Sequence, residues 1–395
     1  MVCRLCGYDT VEILIDFGSQ PIVHNLLKAP EDQAKRYPFR LGNCQTCGFL
    51  QITEPIDPDI LYENYFTISS WKNQPHVPKL IDILESIGGI TSGSGILDIG
   101  CNDGSFLKAL QHRGYARVSG IEPTKDASEK ALEAGLDVYH GFFSQETADK
   151  FYTPSSFDVV TTRQVLEHIV DLDDFLLGVN HILKEEGIFV IEIPDSEWNL
   201  DYLDYALWEE HVNYFTLKTL KQLLHKHSLV ITHHEVTLFS GRALIVFCEK
   251  RQTSNKPSSD KYINYDRDKI KHYGASWESY LQKLHHFLSS QGSPIAMYGC
   301  GARSSTFVNF TGISELIDCF IDDQLEKQDL FVPGSNLEIN SWNESKYRDY
   351  VFLLGVNTEN EHKVITRKAL PPGKYYSILP PSRYLPEFWK SLIYA

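Results

Sequence analysis

Apolar positions along the chain fall into two kinds of run. Some are short and continuous, bounded by glycine, proline or polar turns, and these read as buried strands. The stretches 96–99, 118–122, 158–162, 187–193, 294–298, 317–321 and 350–354 are of this kind. Others repeat every three or four residues and read as amphipathic helices: 78–87, 105–114, 126–134, 218–225, 266–290 and 302–310. Helices alternating with strands predict parallel sheets with right-handed crossovers. The runs 232–238 and 243–249 read as an antiparallel pair that closes the first sheet.

The pattern divides the chain into three. Residues 1–70 show little periodicity and predict a small domain with little regular structure, with turns at 18–21 and 55–58. Residues 71–250 carry the first α/β alternation. A polar, Pro/Ser-rich linker at 252–260 then leads into a second doubly wound α/β domain over 251–395. The segment 61–72, dense in aromatic and hydroxyl side chains, reads as a seam between domains or a cover over a ligand site.

Composition narrows the function classes. With 42% hydrophobic and 23% charged residues in 395, this is an ordinary globular composition. A formal net charge of -15 excludes a nucleic-acid backbone as the main partner, because phosphate binding needs a basic face. No apolar run is long enough to span a bilayer, and no basic segment followed by an apolar one marks a signal peptide, so no membrane partner and a cytoplasmic location are expected. Four of the eight cysteines form two Cys-x-x-Cys knuckles, Cys3/Cys6 and Cys44/Cys47. Such a pair predicts a closed, structural tetrahedral zinc site, with about 35 residues looped out between the knuckles.

The candidate chemistry gathers at strand ends. After the strand 96–99 comes Gly100-Cys101-Asn102-Asp103-Gly104, a sharp turn into a helix. Ligands of open α/β sheets bind beyond the carboxyl ends of the strands, where this loop lies. The next strand ends in Glu122, about 20 residues on, the offset at which a carboxylate grips ribose hydroxyls. Asp98 stands just before the loop, where a carboxylate receives an ammonium group. The loop lacks the Gly-x-Gly-x-x-Gly of NAD binding. Gln164 and His168 follow the strand 158–162 and face the same crevice by position. Glu210-His211, between Trp208 and Tyr214-Phe215, is a carboxylate–imidazole pair suited to general base work. Gly299-Cys300-Gly301, with Asp322 about 20 residues later, leaves a dinucleotide reading of the last domain open.

The Asp98–Gly104 loop with Glu122 resembles motif I and the acidic loop of class I S-adenosylmethionine (SAM) methyltransferases. The cysteine quartet, Leu166-Glu167-His168, Glu210-His211 with Tyr214-Phe215, and Tyr298-Gly299-Cys300-Gly301-Ala302-Arg303 resemble, in this order, the sugar C-methyltransferases of bacterial deoxysugar pathways. That resemblance implies a class I SAM methyltransferase (Rossmann-like) domain flanked by a zinc-binding domain and a second Rossmann-like domain. It implies methylation at C3 of a nucleotide-linked, usually thymidine diphosphate-linked, 4-keto-6-deoxyhexose. It places His211 as the base, Glu210 beside it, and His168 near the keto oxygen or the enolate. The cofactor would meet Asp98, Gly100, Asn102, Gly104, Glu122 and Gln164. Tyr214, Gly299, Gly301, Arg303 and Ser304 would hold the substrate and its diphosphate, in a monomer or weak homodimer. Two positions depart from the family: Trp208 replaces an expected tyrosine, and the tyrosine expected in the 61–72 segment falls on Tyr65 or is lost to Phe66. O-methylation or proton transfer on a related sugar, and a non-catalytic binder, are the rival expectations.

Overall fold

The computed structural model describes residues 1–62, 74–87, 89–238, 241–251, 262–380 and 382–393. Tyr65, Phe66, most of the 61–72 segment and the 252–260 linker lie outside the described residues.

The first 60 residues are more regular than their composition suggests. Strands β1 (Val11–Pro21), β2 (Arg36–Cys44) and β3 (Leu50–Ile52) form an antiparallel meander. The turn expected at 18–21 is instead a bulge inside β1: Gly18 takes φ 74°, the register slips between Asp16 and Ser19, and pairing resumes to Pro21. Bulged strands lose clean alternation, which is why the sequence hid this sheet. At the knuckles, Gly7 and Gly48 follow Cys6 and Cys47 with φ of 75° and 77°, and donate N–H to the Cys3 and Cys44 carbonyls at 2.9 Å. Only glycine adopts such a turn without strain.

The second region contains β4 (Gly95–Ile99), β5 (Arg117–Glu122), β6 (Asp137–His140), β7 (Phe157–Arg163) and β8 (Leu183–Pro194), then the short β9 (Asn213–Tyr214), and finally β10 (Leu229–Leu238) and β11 (Arg242–Lys250). The sheet order is β10-β11-β8-β7-β4-β5-β6, with β4 to β8 parallel and β10 and β11 antiparallel. The chain winds outward from β4 in both directions, so a crevice opens at the carboxyl end of β4. β9 does not join this sheet; it pairs antiparallel with β3 and completes the N-terminal one.

The last region builds a parallel sheet of β12 (Ile295–Tyr298), β13 (Cys319–Ile321), β14 (Ile339–Asn340), β15 (Val351–Leu354) and β16 (Tyr375–Ser377), in the order β14-β13-β12-β15-β16. It is reached by the helix Arg267–Ser289, which buries Tyr273, Trp277, Tyr280, Leu284 and Leu288. Trp277 meets Phe17 of β1 with ring centroids 5.1 Å apart, and Tyr205 at 4.8 Å. One continuous apolar core therefore runs through the N-terminal sheet, the 200–214 segment and the last sheet. That shared core fixes the three regions around one cleft. No helix among the described residues is long and apolar enough to cross a membrane.

Candidate active site

A cavity of about 650 Å³ opens where the three regions meet. Its walls come from His24 and Tyr62 on one side, the ends of β4, β5 and β7 on another, the 204–214 segment, and the loops after β12 and β15.

The β4 end is shaped for a nucleoside with an ammonium group. Asp98 is 3% exposed and accepts a hydrogen bond from Thr161 Oγ1 at 2.5 Å. Burial raises its carboxyl to about 6, while the Arg163 charge pulls the other way. Glu122 accepts from the Asn102 N–H at 2.9 Å and from Thr124 N–H and Oγ1 at 2.8 and 2.5 Å, which anchors the loop to the tip of β5. Gly100 has φ 75°, and a Cβ there would stand 2.3 Å from Val165 Cγ2. Asp98, Gly100, Asn102, Glu122 and Gln164 all line the cavity. Gly104 does not: it begins the helix Ser105–His112 with φ 74°, and a Cβ there would meet Leu136 Cδ1 at 2.1 Å. Its role is close packing, not cofactor contact. Beneath the loop, Glu192 is fully buried between His76 at 3.1 Å, Arg163 at 3.3 Å and Gln164 at 3.3 Å. Burial alone would raise its carboxyl, but the His76 hydrogen bond and the Arg163 charge hold it at about 2. Arg163 also donates to Gln74 and lies 4.4 Å over the Phe106 ring. The acceptors, the open loop and the buried counter-charges fit SAM.

At the centre stand two histidines. His168 and His211 lie edge to face, ring centroids 4.8 Å apart, and Trp208 covers His211 at 3.7 Å. Burial first, then the nearby His168 and Arg303 charges, push His211 well below the ordinary imidazole range, so its ring is neutral at physiological pH. Burial lowers His168 too, against the charge of Glu210. Tyr62 places its hydroxyl 3.0 Å from His168 Nδ1. Tyr62 belongs to the hydroxyl-rich segment, but its partnership across 106 residues left no mark on the sequence.

The expected Glu210–His211 pairing is wrong. Glu210 Oε1 meets His24 Nδ1 at 3.1 Å; burial alone would lower His24, but this contact, with the Glu209 charge and the Leu61 carbonyl, raises it. Adjacent residues in the tight turn 208–211 project to different sides, so chain proximity misled. Among the described residues, the carboxylate that reaches His211 is Glu167, whose Oε1 is 4.0 Å from Nε2 of both His168 and His211. Tyr214 lines the cavity, with its backbone held in β9.

The far end belongs to the last sheet. Gly301 and Arg303 line the cavity, but Gly299 and Ser304 do not. Ser304 Oγ accepts from the Gly301 N–H at 3.0 Å and donates to the Gly299 carbonyl at 2.7 Å, closing a helix cap in full burial. Arg303 is locked by Asp204 at 2.6 Å. Asp322 accepts from the Cys300 and Gln324 N–H groups at 2.8 and 2.9 Å and, unlike Glu122, does not line the cavity, so the dinucleotide reading lacks its ribose grip there. Lys327, Asn357 and Lys363, which no motif announced, complete this end.

The four knuckle cysteines stand apart from the cleft. Cys3–Cys47 and Cys6–Cys44 Sγ distances are 3.6 Å, and all four sulfurs lie within 4.8 Å of one another. A tetrahedral zinc with bonds of about 2.3 Å separates its sulfurs by roughly 3.8 Å, so the quartet fits zinc. Its sulfurs are too far apart for disulfides, and none of the eight cysteines is disulfide-bonded.

Three family models match in succession. Residues 3–62 match "Putative zinc binding domain", 71–234 match "Methyltransferase domain" and 243–371 match "C-methyltransferase C-terminal domain". The C-methyltransferase NovU of Streptomyces niveus is 25% identical over 90% of this chain and 89% of that protein. The ubiquinone biosynthesis O-methyltransferase of Bradyrhizobium diazoefficiens is 27% identical over 47% of this chain and 70% of that protein. Among solved structures, an S-adenosylmethionine dependent methyltransferase from Mesorhizobium loti is 18% identical, covering 45% of this chain and 98% of that one, with a TM-score of 0.35. The chain uses SAM and carries a zinc site in its cysteine quartet. Matched by these three models in this order, the chain is a SAM-dependent methyltransferase with a zinc-binding domain, a methyltransferase domain and a C-methyltransferase C-terminal domain.

Proposed function

We propose that this enzyme methylates C3 of a nucleotide diphosphate 4-keto-6-deoxysugar, with His211 removing the C3 proton. One observation carries the reading: a single cavity joins the Gly100 loop, the His168–His211 pair and the basic far end. Bound SAM supplies an electrophilic methyl group. Everything else falls to the chain.

A ketone at C4 acidifies the neighbouring C–H, because the electron pair left on carbon spreads to the keto oxygen. A neutral, buried imidazole is the right acceptor for that proton, and His211 is kept neutral by its surroundings. His168, backed by the Tyr62 hydroxyl, offers a donor to the oxygen that gains charge. Water is excluded around His211 by the Trp208 ring. Lys363 presents a cationic group to a diphosphate, beside Arg303 and Lys327, which are held by Asp204 and Asp322. A thymidine-like nucleotide would fill the remaining space.

Trp208 favours a second reading. An indole stacked on the base cannot donate a phenolic proton, so proton transfer without methylation suits this site as well. The His211→Asn variant tests the first reading. It is expected to fold, bind SAM by calorimetry and lose turnover by at least about 100-fold. Full turnover by that variant would remove His211 from the role of base.

A further inference from the structure

The cavity wall hides a carboxyl group that the proposed mechanism has not used. Glu167 is 1% exposed and does not line the cavity, yet its Oε1 stands 4.0 Å from Nε2 of His168 and of His211. Neither of its oxygens has a hydrogen-bond partner among the described residues. An unpaired buried carboxyl is costly, and such groups in native proteins call for an explanation.

Backbone hydrogen bonds fix it there. The Val212 N–H donates to the Glu167 carbonyl at 2.9 Å, and Asn213 Nδ2 donates to the Leu166 and Ile169 carbonyls at 3.2 and 2.6 Å. The turn carrying Glu167 and the segment carrying His211 are thus stitched into one unit. Among the described residues, the charged and titratable groups around it are few. Glu192 faces Glu167 from β8, Glu210 acts on His168, Tyr62 caps His168 Nδ1, and Arg303 acts on His211. No cation among them pairs with Glu167.

Resting on the C3-deprotonation reading above, we propose that Glu167 is the positioning and charge partner of His211. In the reactive form Glu167 is a carboxylate and His211 is neutral. The substrate C–H bond breaks, its electron pair stays on the carbon and keto oxygen, and its proton forms an N–H bond on His211. The imidazolium so formed faces the Glu167 carboxylate across a short gap, which steadies its charge and its orientation. Glu167 keeps its own protonation state through the step.

Burial and the nearby Glu192 charge raise the Glu167 carboxyl well above the ordinary range. Glu167 therefore loses its proton at a higher pH than an ordinary carboxyl, and the reactive form appears as it does so. The acid side of the rate profile then reports a glutamate, not an imidazole.

The test uses the full zinc-loaded chain and SAM-free deuterium exchange into a nucleotide 4-keto sugar. Wild type, Glu167→Gln and Glu167→Asp are compared across about pH 5 to 9, the range in which buried glutamates titrate. The wild-type rate is expected to rise with pH. Glu167→Gln is expected to lose that rise and run at least about tenfold slower at the alkaline end, with KM and SAM affinity held. Glu167→Asp, which restores a carboxylate, is expected to recover the rise in part. A substrate-free arm reads the carboxylic-acid band in infrared difference spectra between the two pH extremes; Glu167→Gln is expected to delete one titrating band. A Gln variant that keeps both the rise and the rate, or an unchanged infrared difference, overturns the assignment. Failure of the wild type to exchange any 4-keto sugar instead counts against the C3-deprotonation reading.

Discussion

Gly100 offers the sharpest link between the loop after β4 and the two histidines of the cleft. Replacing it with alanine adds one methyl group at two costs. The backbone at φ 75° is left-handed, which charges a residue with a Cβ about 1–2 kcal/mol. The new Cβ would also stand 2.3 Å from Val165 Cγ2, and overpacking of this kind costs about 1–3 kcal/mol. Together Gly100→Ala should lose about 2–5 kcal/mol. Val165 is the residue before Leu166-Glu167-His168, so relieving the clash pushes on the turn that positions His168 and Glu167. Trimming Val165 to alanine removes the second cost and leaves the first. In a four-protein cycle, Gly100→Ala/Val165→Ala should be more stable than the sum of its parents by about 1–3 kcal/mol. Calorimetric melting reads this, at roughly 2–4 °C per kcal/mol for a domain of this size. SAM titration of the same proteins should show Gly100→Ala binding weakly and the double variant recovering part of the loss. Additive effects within about 0.5 kcal/mol would refute the contact.

Other expectations follow from the same geometry. Cys44→Ser should lose close to one equivalent of zinc by metal analysis, whereas Cys319→Ser, remote from the quartet, should keep it. Glu192, held at about 2 against an ordinary value of 4.5, contributes about 3 kcal/mol above pH 4.5, and this is lost as pH falls toward 2. The melting difference between wild type and Glu192→Gln should therefore be large at pH 7 and shrink below about pH 4.5; a pH-independent difference would contradict it. Lys363→Ala should raise the KM for a diphosphate-linked substrate about five- to tenfold, with kcat nearly held, because it removes only binding charge.

Much of this was written in the chain in a readable form. Strands 96–99 and 118–122 are continuous apolar runs, and the loop between Asp98 and Gly104 is fixed by backbone needs that select glycine, so both were found where expected. Two knuckles with equal spacing announced their own geometry. The N-terminal sheet stayed hidden because the bulge at Gly18 interrupts β1 and its fourth strand, β9, comes from 160 residues further on. Side-chain direction was the other blind spot. Glu210 neighbours His211 in the chain but turns to His24, while Glu167 reaches His211 only after the fold joins two distant turns. Ser304 looked like a phosphate ligand and is a helix cap, whereas Lys327 and Lys363 carry no motif at all.

The central claim is tested most directly by mass spectrometry of a small panel of nucleotide-linked 4-keto-6-deoxysugars incubated with the enzyme in deuterated water, with and without SAM. The account predicts a product one methyl group heavier when SAM is present, and deuterium at C3 when it is withheld. Exchange without methyl transfer would favour the proton-transfer reading instead. Tight SAM binding with neither exchange nor methyl transfer on any member of the panel would contradict C-methylation through His211.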